Sequence, residues 1–180
     1  MDTPDNAAPQ ANGADTAPSV GVSSQYTKDF SFENPNSPAI YQIQGQPAFD
    51  VQFNIGAAEV AQDVHEVTLK IDVRATLEDQ VAFIVDLSYS GLFAIRNVPD
   101  EHLQPFLLGE APRLLFPFAR QIICEATQNC GFPPLLLDGI DFGAAYLQQL
   151  QQAQQGQPNG SGQAQPDEVT APEGDQNPSA

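Results

Sequence analysis

Basic side chains are what this chain has least of: its 180 residues carry 6 Lys and Arg against 23 Asp and Glu, a formal net charge of −17. A surface this negative repels phosphate backbones, which argues against nucleic acid and anionic membranes and favours basic or unfolded polypeptides as partners. Solubility alone also benefits from such a surface. Trp is absent and Met occurs once, so adaptability of the Met-rich kind is excluded and has to come from aromatics and loops. No stretch reaches the roughly 20 apolar residues needed to cross a bilayer. The start MDTPDNAAPQ has neither the basic nor the apolar region of a signal peptide, and the expectation is a cytoplasmic protein without direct membrane insertion.

Catalytic signatures are missing too. Neither a G-x-x-x-x-G-K loop nor G-x-G-x-x-G occurs, so nothing cradles a nucleotide phosphate. Cys124 and Cys130 are spaced as neither a redox pair nor a zinc knuckle, and they read as buried, reduced thiols. His65 lies on the apolar parity of a strand with no Ser or Cys nucleophile at motif spacing, and reads as an interior or interface histidine. His102 follows Pro99-Asp100-Glu101 at a helix start and reads as surface or packing. Asp138 and Asp141 are explained by a turn and a helix cap rather than by a glycosidase pair. Asp63, His65 and Glu66 cannot converge on a metal, because neighbouring strand residues face opposite ways. No catalytic residue, cofactor or metal ligand is expected.

What is present divides into tails and a body. Residues 1–24 are small and polar with almost no large apolar side chain, and residues 153–180 form an acidic Gln-, Pro- and Gly-rich end; both are expected to be disordered. Residues 25–152 form one domain. Its first half alternates. In YTKDFSFE, Phe30 and Phe32 point to a core while Asp29 and Glu33 stand on the solvent side. Two prolines in NPNSP end that strand. AFDVQFNI puts Phe49, Val51, Phe53 and Ile55 on one face, and VHEVTLKIDVRATL puts His65, Val67, Leu69, Ile71 and Val73 on one side with Glu66, Thr68, Lys70, Asp72 and Arg74 opposite. After a hairpin loop at Glu78-Asp79-Gln80, VAFIVDLSYSGLFAI directs Val81, Phe83, Val85, Leu87 and Tyr89 inward and Ala82, Ile84, Asp86 and Ser88 outward.

The second half changes period. Leu114, Leu115, Phe118, Ile122 and Ala126 fall at helical spacing, with Pro117 either starting or kinking the helix. The loop FPPLLLDGID leads to a last helix with Asp141 as N-cap and Phe142, Tyr146 and Leu150 as its stripe. Four strand runs joined by short loops, then helices, predict an α+β fold: a four-stranded antiparallel sheet with helices packed on one face. Periodicity leaves open whether the many Phe, Leu, Ile and Val residues form only a core or also a groove for apolar segments.

Five segments, YTKDFSFENPNSP, VHEVTLKIDV, SGLFAI, LLFPFARQII and GFPPLLLDGIDF, resemble in order and spacing the SecB-type protein-export chaperones. The resemblance covers about residues 25 to 150. It implies an ATP-independent cytoplasmic chaperone that holds secretory precursor proteins unfolded and delivers them to the SecA motor. It also implies a homotetramer, a dimer of dimers with sheets outside and helices between. The family's SecA-binding positions match Asp29, Glu33, Ile84 and Asp86, the last in place of a common Glu. Its client-binding groove matches Phe49, Val51 and Phe53, aromatics standing where aliphatics are frequent. The competing reading from another class is an acidic adaptor that binds one folded partner and has no client groove.

Overall fold

The computed structural model describes residues 17–155. Of the tails expected at residues 1–24 and 153–180, residues 1–16 and 156–180 lie outside the described residues. Four strands come first: β1 (Ser19–Glu33), β2 (Ala48–Ala61), β3 (Val64–Leu77) and β4 (Gln80–Arg96). Helices α1 (Asp100–Pro105) and α2 (Ala111–Asn129) follow, joined by a π-helical turn at Phe106–Glu110, and α3 (Phe142–Gln155) ends the described chain. The sheet is antiparallel throughout, in the order β1-β4-β3-β2, so β1 and β2 are its edges.

Helices cover one face, as alternation in an antiparallel sheet allows. Val67, Leu69, Ile71 and Val73 of β3 and Phe83, Val85 and Leu87 of β4 are buried against Leu107, Leu115, Phe116, Ala119 and Ile123 from the helical run. Gly91 permits the close approach: a β-carbon there would lie 2.8 Å from Leu115 Cδ2. Two residues with positive φ, Glu78 and Asp79, close the β3–β4 hairpin with the backbone twist that tight hairpins favour. Asp141 caps α3 as expected, its Oδ1 accepting from the Ala144 N–H at 2.9 Å.

Several expectations need correction. β1 starts at Ser19, so Ser19–Ser24 are strand rather than tail; Val20 and Val22 pair in register with Ile95 and Phe93. Bulges shift parity. The one at Lys28 leaves Phe30 and Phe32 facing the helical side but turns Tyr26 to the open side, opposite Ser90. Another makes Ala82 the buried residue and leaves Val81 half-buried. Phe30 faces the core side yet remains 39% exposed, on an edge strand of the sheet. Along α2 the buried stripe is Ala111, Leu115, Ala119 and Ile123, while Leu114 and Phe118 are exposed. Pro117 lies inside α2, where it neither starts the helix nor can donate to the preceding turn. Cys124 and Cys130 are free but only half-buried. His65 is half-buried too, and its Nδ1 has no hydrogen-bond partner among the described residues.

Candidate functional site: an open acidic sheet face and an aromatic furrow

The open face of the sheet gathers four of the residues singled out above. Register sets Glu33 opposite Ile84, Ser31 opposite Asp86 and Asp29 opposite Ser88. Directly opposed side chains in antiparallel strands are about 4.5–5.5 Å apart at Cβ, so Asp29, Glu33, Ile84 and Asp86 form one patch. Asp29 and Glu33 are exposed, and neither has an ion pair among the described residues. Asp86 is held differently, with its Oδ2 3.0 Å from Lys70 Nζ. Lys70 also lies 3.4 Å from Asp72 Oδ1. A hydrogen bond from Lys70 to Asp86, followed by the charges of Asp72 and Asp86, pushes the Lys70 ammonium above its ordinary range.

A second cluster steadies the end of this face. Tyr26 Oη donates to Glu66 Oε1 at 2.5 Å and Lys28 Nζ meets Glu66 Oε2 at 2.6 Å, so β1 reaches over β4 to β3. The bulge at Lys28 lets Tyr26 and Lys28 meet the same carboxylate. The Lys28 hydrogen bond first and the Tyr26 hydrogen bond second hold the Glu66 carboxyl below the usual carboxylate range. The Tyr26 phenol is pushed up, mainly by its bond to Glu66. Lys70 and Glu66 were both visible on the polar parity of β3; what the sequence withheld was their partners on other strands.

The other group lies on the helical side along the β2 edge. Phe49, Val51 and Phe53 pair in register with Ala75, Val73 and Ile71 of β3. They do not share one environment. Phe49 is 46% exposed, with its ring 6.3 Å from that of Phe83. Val51 is half-buried. Phe53 is anchored in an aromatic triad, 6.2 Å from Phe116 and 6.4 Å from Phe142 between ring centres. Beside it opens a cavity of about 470 Å³ lined by Phe53, Ile55, Leu108, Ile140, Phe142 and Tyr146. Leu136, in the loop before α3, is 71% exposed. Leu108, Ile140 and Leu136 had no periodicity to mark them, because a π-helical turn and a loop carry them.

Comparison with known proteins decides the family. Residues 13–153 match the family model described as SecB, preprotein translocase subunit SecB. The chain belongs to the SecB family. The match extends N-terminal of β1, in keeping with a strand that begins before Tyr26. The chain is 56% identical over 149 residues to the protein-export protein SecB of Sphingopyxis alaskensis, covering 83% of this chain and 87% of that one. Identity to the SecB of Zymomonas mobilis is also 56%, over 144 residues, with 79% and 88% covered. Among solved structures, a Mycobacterium tuberculosis SecB-like chaperone in complex with a ChAD peptide from the HigA1 antitoxin superposes with a TM-score of 0.55. At 16% identity, covering 67% of this chain and 90% of that one, it shows a shared fold. As a SecB, the protein is a protein-export chaperone. No described helix is long and apolar enough to cross a membrane.

Proposed function

We propose that this SecB holds unfolded secretory precursors in the cytoplasm along the furrow of Phe49, Val51 and Phe53, without ATP or any catalytic step. It then presents them to SecA through the open face bearing Asp29, Glu33, Ile84 and Asp86. The observation that carries the reading is the separation of an apolar edge furrow from an acidic patch, in which Asp29 and Glu33 have no ion pair among the described residues, on opposite faces of one sheet. An extended client offers scattered apolar side chains, so a furrow of this kind accepts many sequences without reading any one. Folded proteins hide such segments, and binding therefore competes with folding and needs no nucleotide.

The same reading includes a homotetramer built as a dimer of dimers. Val20 and Val22 on β1, with Leu114 and Phe118 on α2, leave apolar surface uncovered on the helical side. Patches of this type on a soluble chain mark contact with other protein, here further copies. Four furrows on one assembly raise avidity for a long client by roughly 100- to 10,000-fold where geometry permits.

Light scattering of an aggregating, chemically unfolded precursor tests the chaperone reading. Suppression by stoichiometric protein without ATP is the expected result. An adaptor for a single folded partner gives none.

A further inference from the structure

The open face carries a cation of its own, and it stands among the carboxylates rather than beside them. Lys70 bridges Asp86 and Asp72 at 3.0 Å and 3.4 Å. Those two aspartates are register partners on β3 and β4. Like charges placed directly opposite repel, so Lys70 relieves a conflict built into the sheet. Of the other basic residues on this face, Lys28 is held by Glu66 at 2.6 Å and Arg74 has no ion pair among the described residues. The face is thus electrostatically divided. On β1, Asp29 and Glu33 are open to an incoming cation, whereas on β3 and β4 the carboxylates are already partnered. The partnership is incomplete, since Asp86 Oδ1, itself shielded from solvent, has no hydrogen-bond partner among the described residues. It is also wet: the side chains of Lys70, Asp72 and Asp86 are 43%, 44% and 35% exposed. A bridge this open to water is weak enough for one arriving basic side chain to displace.

We propose that Lys70 is an internal competitor for the basic partner of this face, occupying Asp86 until a partner's Lys or Arg takes its place. The proposal rests on the reading of the open face as the SecA-binding surface. Its consequence is selectivity. A stray cation that reaches only Asp86 exchanges one ion pair for another and gains little. A partner that also meets Asp29 and Glu33 gains new pairs and can afford the exchange, so binding favours ligands that span both halves.

A purely structural Lys70 would lower stability when removed and leave partner affinity unchanged or reduced. A competitor would raise affinity on removal. Calorimetric titration of SecA into Lys70→Met and Lys70→Gln at two salt concentrations separates these, with thermal melts confirming that each variant is folded. We expect about two- to fivefold tighter binding at low salt, the scale of one or two exposed ion pairs. The gain should shrink at high salt. It should vanish when Asp72→Asn and Asp86→Asn are added. Unchanged or weaker binding in both Lys70 variants overturns the competitor. The double reversal Asp29→Lys, Glu33→Lys runs alongside. If that reversal weakens SecA binding while the Lys70 variants do not tighten it, only the Lys70 proposal fails. If the reversal changes nothing, the docking surface fails and the competitor with it.

Discussion

On its covered face the sheet gives up Val67, Leu69, Ile71 and Val73 to a shared interior that also takes Leu115 and Phe116 from α2. On its open face Asp29 and Glu33 stand in water and touch no opposite charge among the described residues. The same four strands supply both sets, because alternate residues point to opposite sides. Burial of area holds the first face together, and it resists salt. The second contributes little to stability and is therefore free to be used on a partner, where charges steer and select. Substitutions on the two faces should accordingly fail in different assays.

The largest effect should come from the covered face. Leu115→Ala removes a fully buried side chain lodged over Gly91 and should cost about 2–5 kcal/mol of stability. Urea unfolding of the isolated protein reads this out, and a loss within error would mean that α2 is not packed as described. Next comes the double reversal Asp29→Lys, Glu33→Lys, which exchanges attractions for repulsions. At roughly 0.2–1 kcal/mol for each pair lost or repulsion gained, SecA binding should weaken about five- to several-hundred-fold, with stability and client protection unchanged.

Phe49→Asp is the cleaner probe of the furrow than any change at Phe53, because Phe53 also supports the Phe116–Phe142 triad. A carboxylate at Phe49 would have to lose water beside apolar client groups, which costs more than the about 1–3 kcal/mol of a neutral polar group left without a hydrogen bond. Weaker suppression of client aggregation with an intact SecA titration is expected. Equal protection by the variant would remove Phe49 from the groove.

The smallest effect concerns Glu66, which ties Tyr26 and Lys28 to β3. Its folded-state pKa lies below the ordinary 4.5. The stabilisation from its ionised form is therefore complete above about pH 4.5 and disappears as pH falls through the lower folded value. Comparing urea midpoints of the parent and Glu66→Gln across pH 3 to 7 should show a difference of about 0.2–1 kcal/mol that is flat above pH 5 and shrinks in acid. A difference that grows in acid would reverse the sign and contradict the ion-pair assignment.

How far the sequence carried these assignments depended on whether spacing stayed regular. Asp29, Glu33, Ile84 and Asp86 were placeable on the solvent side because β1 and β4 pair without interruption from Asp29 to Glu33, whereas their grouping came from the family resemblance. Ala82 was misplaced, and Tyr26 departs from the parity of Phe30 and Phe32, because single-residue bulges flip parity and nothing local in composition announces them. The first residues of β1 escaped notice since Val20 and Val22 sit among small polar residues, and their strand is set by pairing with β4 rather than by propensity. Along α2 both faces are apolar, so helical spacing alone could not tell Leu115, which is buried, from Leu114 and Phe118, which are exposed. The charge partners Lys70–Asp86 and Tyr26–Glu66 span separate strands and needed the register.

The central claim is that client and SecA occupy opposite faces of one sheet, and the most direct test is to let them bind together. Native mass spectrometry of the protein saturated with a reduced, unfolded precursor, with SecA then added in the absence of ATP, resolves each species by mass. A ternary assembly of chaperone, client and SecA is the result predicted. Displacement of the client by SecA, with only the two binary complexes seen at every concentration, would contradict it.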